Sequence, residues 1–199
     1  MDRNLLSEWR FDALLSELAD IFSREGRDGG RQAARGLRNA IGGEYRTRLS
    51  NAAPVELLHA ASNLPDAVFP ADLVARCAND LDWEGEGLDQ AISARLFTTE
   101  LVGPDGHVWQ PDIRVGLLIS DCNTDYPVSS HAGEETYYVL AGTAEWTLDR
   151  NPYRRRPPGS FVHHPAWVEH GRRTLAEPFL GVWRWSGDLD LSSFSVSQA

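Results

Sequence analysis

The chain has 199 residues, 42% of them hydrophobic and 24% charged, which suits one domain with a real core and room for a helical extension. Its net charge is −10, the wrong balance for the basic face that a nucleic-acid binder needs; that all 19 basic residues are Arg reads as genomic base-composition bias. No apolar run approaches the ~20 residues of a membrane span, and Leu5-Leu6 is followed at once by Ser7-Glu8-Trp9-Arg10, unlike a signal peptide. The expectation is a soluble, cytoplasmic protein with no nucleic-acid and no membrane partner.

The N-terminal part is patterned for helices. Leu5, Leu6, Trp9, Leu14, Leu15, Leu18, Ile21 and Phe22 recur at helical spacing through about residue 24. Gly26 and the Gly29-Gly30 pair read as breakers. A second amphipathic stretch runs from about Arg31 to Ile41 and ends at Gly42-Gly43. Pro54 sits at a first helical turn, followed by Val55, Leu57, Leu58 and Ala61, and a last helix is predicted over about Ala71 to Asn79. Cys77 and Cys122 form no CxxC pair and read as two small apolar residues.

Near residue 90 the pattern changes to strands and turns. The run 94–102 ends at the turn Gly103-Pro104-Asp105-Gly106, and further runs cover 113–119, 136–141, 143–148, 160–163 and 178–185. The predicted organisation is a helical segment over 1–90, covering a barrel edge, and a β-barrel over 91–199.

The segment Tyr126 to Tyr137 carries the chemistry. His131, Glu135 and Tyr137 are separated by even steps, so an extended strand points them to one side, and Val139 follows in phase towards the interior. An imidazole, a carboxylate and a phenol on one inner face are costly unless something pairs them, and a divalent metal is the simplest partner. Glu134 is the confounder, because a register error exchanges it with Glu135. A second segment, Gly159 to His170, reads as turn, strand and Pro-led turn, and can deliver His170 to the same centre. His163 and His164 are adjacent and face opposite ways; both read as minor candidates. His59 and His107 read as surface, and Arg154-Arg155-Arg156 as a solvated turn.

The spacing His131-x3-Glu135-x6-Gly142 is similar to the first cupin motif, and Gly159-x5-Pro165-x4-His170 to the second. The fold so implied is mainly β: a cupin (jelly-roll) barrel preceded by an N-terminal α-helical segment. Three positions depart from the motifs. Ser129 stands where the first motif has its first histidine, Trp167 where the second has Gly, and Thr174 where it closes with Asn. More narrowly, Tyr126-Pro127, Glu135-x-Tyr137, Thr143 to Trp146, Trp183-Arg184-Trp185 and the helical N-terminal segment resemble the cupin-type dimethylsulfoniopropionate (DMSP) lyases. These cleave a zwitterionic small molecule to acrylate and dimethyl sulfide.

The resemblance implies one divalent transition metal (Zn, Fe or Mn) on His131, Glu135, His170 and Tyr137, with Tyr126 or Tyr137 as the base. A free Tyr has a pKa near ~10, and a metal beside it favours the phenolate. Tyr126 is the preferred base if Tyr137 stays on the metal; the other arrangement has substrate displace Tyr137. Trp183 and Trp185 share a strand face and offer π-surface to a sulfonium, and Ser129 is a candidate partner for a metal-bound water. The same ligands would also serve another metal-dependent cupin, an Fe(II) dioxygenase or an isomerase of a small acid, and a non-catalytic ligand-binding cupin is a third reading. Monomer and homodimer are both open.

Overall fold

A computed structural model describes residues 3–46, 53–85 and 94–197. The expected boundary at 90/91 lies outside the described residues. The helices are α1 (Arg3–Ser23), α2 (Asp28–Ala40), α3 (Val55–Ser62) and α4 (Ala71–Cys77). The strands are β1 (Glu84–Gly85), β2 (Leu96–Gly103), β3 (Val108–Trp109), β4 (Arg114–Ser120), β5 (Asp125–Ser130) and β6 (Glu134–Ala141). They continue as β7 (Ala144–Leu148), β8 (Arg154–Arg156), β9 (Phe161–His164), β10 (His170–Thr174), β11 (Phe179–Ser186) and β12 (Ser195–Val196).

The strands form two sheets, in the orders β1-β2-β4-β11-β6-β9 (with β3 beside β2) and β12-β5-β10-β7-β8. Period-two alternation sorts each strand of the larger sheet between two cores. In β4, Val115, Leu117 and Ile119 join the helices in the larger core, whereas Leu118 faces the barrel interior with Tyr137, Val139, Trp146 and Phe179. In β11, Leu180 and Val182 face the helices, and Phe179 and Trp183 face inward. The helices therefore cover the outer face of this sheet and not, as expected, a barrel edge. On α1, Leu14, Leu15, Leu18, Ile21 and Phe22 are buried, whereas Trp9 stays exposed.

Gly29-Gly30 does not break a helix; it lies in the first turn of α2. A Cβ on Gly29 would come within 2.5 Å of the Arg184 guanidinium, and one on Gly30 within 2.5 Å of the Glu25 carboxylate, so the pair lets α2 close over these side chains. Arg154 to Arg156 forms the exposed edge strand β8, paired with β7, and is not a turn. Tyr126 lies on β5. Of the two cysteines, Cys77 is buried and Cys122 partly so.

Gly142 fits the motif for a stated reason: its φ is +71°, and a Cβ there would meet the Pro178 carbonyl oxygen at 1.9 Å. Trp167 takes φ +64° at the position where the second motif has glycine, and its N–H donates to the His131 carbonyl at 2.8 Å.

The hairpin of α1 and α2 is keyed to the barrel by one buried ion pair. Arg184 on β11 donates from Nε to Glu25 Oε2 at 3.0 Å and from Nη2 to Glu25 Oε1, and both side chains are fully buried. Thr136 Oγ1 donates to Glu25 Oε1 at 2.8 Å. Removing Glu25 leaves the fully buried Arg184 with only the partly exposed Glu134, at 2.8 Å, as a counter-charge. Glu25→Ala is expected to lower stability by about 3–5 kcal/mol in urea denaturation. A loss below about 1 kcal/mol, typical of an exposed pair, would contradict this assignment.

Candidate metal centre

β6 settles which of the paired glutamates faces in. Glu135 is buried and pairs across the strands with His164 and Trp185, whereas Glu134 points to Arg184 at 2.8 Å on the helical side. His131 sits in the turn between β5 and β6, and His170 opens β10. Their Nε2 atoms both lie 3.5 Å from Glu135 Oε2. All three residues are buried, and their ligand atoms lie within 4.8 Å of one another.

The imidazoles are held in one tautomer. His131 Nδ1 lies 2.9 Å from the Gly133 carbonyl oxygen, and His170 Nδ1 lies 2.9 Å from that of Val168. A carbonyl only accepts, so each Nδ1 carries a proton, and it is Nε2 that faces Glu135 and is left to offer a lone pair to an ion. Backbone carbonyls orient metal-ligating histidines in this way. The Glu135 carboxyl is subject to burial, which raises it, but hydrogen bonds and charge from His131 and His164 outweigh this and hold it well below the usual carboxylate range. Two outward lone pairs and an ionised carboxylate in a buried cluster are a donor set that can hold a divalent ion.

His164, a minor candidate from sequence, is part of this centre. Its Nδ1 donates to Glu135 Oε2 at 3.1 Å, its ring stacks on His170 at 4.1 Å, and its buried Nε2 has no hydrogen-bond partner. Trp185 also serves the ligands directly: its Nε1 donates to Glu135 Oε1 at 2.9 Å, and its indole stacks on His131 at 3.9 Å.

Burial, and next the neighbouring His164, push His170 down to about 4 from an ordinary 6.5. The folded chain thus binds this proton less tightly than the unfolded chain. Its contribution to stability is present above 6.5 and is lost as pH falls towards about 4. Urea midpoints of chelator-treated protein should fall across that window; a flat profile would count against the neutral His170.

The cluster opens into a cavity of about 670 Å³, also lined by Tyr126, Tyr137, Trp146, Arg172 and Trp183. Tyr137 is buried, with its ring 4.9 Å from that of Trp146 and 5.9 Å from that of His164. Tyr126 is half-buried. Trp183 lies in the wall, its Nε1 donating to Thr98 Oγ1 at 3.2 Å. Ser129 is fully buried opposite His170, its hydroxyl without a hydrogen-bond partner, and is not among the residues that line the cavity. His107, expected at the surface, is buried: it stacks on Tyr45 at 4.9 Å, and its Nε2 accepts from the Asp82 N–H at 3.1 Å.

Two mainly antiparallel sheets enclosing an inward His/Glu/His cluster define a cupin barrel. The DMSP lyase family profile matches residues 52–181, more than half of the chain. The chain belongs to the dimethylsulfoniopropionate lyase family. It is 32% identical over 125 residues to dimethylsulfoniopropionate lyase DddQ of Ruegeria pomeroyi; the match covers 63% of this chain and 61% of that protein's length. The fold is shared with the crystal structure of DMSP lyase DddQ from Ruegeria pomeroyi DSS-3, at TM-score 0.74 and 24% identity, covering 94% of this chain and 96% of the other. A structure titled for the DMSP lyases RdDddP and RnDddQII matches at TM-score 0.68 and 23% identity, covering 94% of this chain and 100% of the other. No described helix is long and apolar enough to cross a membrane.

Proposed function

We propose that this chain is a metal-dependent carbon–sulfur lyase that cleaves dimethylsulfoniopropionate to acrylate and dimethyl sulfide. The observation that carries the reading is the meeting, in one cavity, of the His131/Glu135/His170 cluster with two phenols, Tyr126 and Tyr137. In this reading His131, Glu135 and His170 hold one divalent ion, Zn, Fe or Mn, with Tyr137 as a fourth ligand. The ion supplies a Lewis acid for the substrate carboxylate, whose negative charge otherwise makes the neighbouring α-proton hard to remove.

The residues of the chain do the rest. Tyr126 takes the α-proton on its phenolate oxygen while Tyr137 remains a ligand. The electron pair of the broken C–H bond becomes the acrylate double bond, and the C–S pair leaves with neutral dimethyl sulfide. Trp183 and Trp185 present aromatic faces to the sulfonium, an attraction of about 0.5–2 kcal/mol. His164 and Trp185 hold Glu135 through its two oxygens.

Two tests follow. Headspace gas chromatography of sealed vials holding protein and DMSP should show dimethyl sulfide that chelation abolishes; silence under every added metal would sink the reading for this substrate. His164→Ala, which frees one Glu135 oxygen, should weaken metal affinity by about 10–100-fold, as measured by competition with a chromogenic chelator. An unchanged affinity would leave His164 as packing alone.

A further inference from the structure

Arg172 is a buried charged side chain that the mechanism above does not use. It stands two residues after His170 on β10, opposite Trp146 on β7 and Tyr126 on β5. It is only 3% exposed. Its guanidinium carbon lies 5.1 to 5.4 Å from the ring centroids of Phe179, Trp146, Tyr126 and Tyr137. Aromatic faces accommodate the charge but do not accept its N–H bonds as an oxygen would. Nη2 is buried without a hydrogen-bond partner, and among the described residues Arg172 makes no ion pair.

The other buried arginines behave differently. Arg184 pairs with Glu25, and Arg114 donates to Glu100 at 2.6 Å. A guanidinium N–H taken out of water without an acceptor is unfavourable, so an acceptor brought by a ligand accounts for Arg172 where packing does not. The charge pattern of the cavity narrows the ligand. Among the described lining residues Arg172 is the one arginine; of the lining carboxylates, Glu100 and Asp105 are paired with Arg114 at 2.6 and 2.9 Å and Glu135 belongs to the His/Glu/His cluster, which leaves Asp82 and Glu84. An anion entering this cavity is repelled by Asp82 and Glu84 and attracted at Arg172 and at the metal cluster.

We propose that Arg172 is the carboxylate anchor of the cavity: its fork binds the anionic end of a small monocarboxylate and so orients a zwitterion with its cationic end towards the acidic wall. The proposal rests on the lyase reading for its substrate, but the anchoring itself is measurable apart from turnover. Guanidinium–carboxylate pairing is directional as well as charged, so lysine replaces it only in part.

The test is calorimetric titration of propionate and propionamide into the full-length metal-loaded protein, for wild type, Arg172→Lys and Arg172→Met at matched metal content. Propionate should bind wild type and weaken by about 10–100-fold in Arg172→Met, the range for a charge-assisted hydrogen bond, with Arg172→Lys between them. Propionamide should bind all three weakly and alike. Equal propionate affinity in a folded Arg172→Met protein overturns the anchor, as does a wild type that binds propionate no better than propionamide. If Arg172→Met does not fold, Arg172→Lys decides, since an undiminished affinity there also overturns the proposal. Dimethyl sulfide is assayed on the same preparations. Arg172-dependent propionate binding without any dimethyl sulfide defeats the lyase reading alone; turnover with an unchanged KM in Arg172→Met defeats the anchor alone.

Discussion

Glu135→Ala should yield a folded protein that purifies without a bound divalent ion and releases no dimethyl sulfide above the buffer control. Glu135 is the point where the site converges: one oxygen faces His131, His164 and His170, and the other accepts from Trp185. Removing it leaves buried imidazoles with their lone pairs facing an empty centre and takes the only anionic donor from the cluster. A Lewis acid is worth several kcal/mol at a developing oxyanion, so a loss of about 10³-fold or more is expected. Elemental analysis of the purified variant reads the metal, and a thermal melt excludes unfolding. A variant that keeps stoichiometric metal and turns over would remove Glu135 from the ligand set.

The second large effect separates the two phenols. Tyr126→Phe should lower kcat by about 10²–10⁴-fold, the span of a lost general base, and leave metal content unchanged. Tyr137→Phe should also lower kcat, but with weaker metal retention, because it removes a ligand. Both tyrosines line the cavity from neighbouring sheets, Tyr126 from β5 and Tyr137 from β6, so neither substitution disturbs the other's strand. Paired measurements of kcat and metal stoichiometry assign the roles. If Tyr126→Phe retains full activity while Tyr137→Phe loses it at constant metal, Tyr137 is the base.

The inner face of β6 was legible from sequence because a strand repeats every two residues and Val139 fixes which side is apolar. His131 was read by parity onto one strand with Glu135 and Tyr137 but sits in the turn before β6, so its motif spacing was the sound signal, as it was for His170 at the start of β10. His164 escaped because it is adjacent to His163 and parity alone cannot choose between them; only the pairing of β6 with β9 places His164 opposite Glu135. Arg172 escaped for another reason: a basic residue on a strand reads as solvent-facing, although its even step from His170 carried the signal. Glu25 and Arg184 are 159 residues apart, and nothing local joins them. The glycines that let α2 approach this pair read as helix breakers because a sequence shows a missing side chain but not what stands against it. Ser129 was read as a departure, and it stands opposite His170 with its buried hydroxyl unpartnered.

The central claim is that one divalent ion on His131, Glu135 and His170 enables the elimination. The most direct measurement is stepwise return of Zn, Fe(II) or Mn to chelator-treated protein, with acrylate followed by proton NMR and dimethyl sulfide by headspace gas chromatography. Both products should appear in equal amounts, at a rate that rises linearly until one ion per chain is bound and then stops rising. Products formed at full rate without metal, or none with any metal, would contradict it.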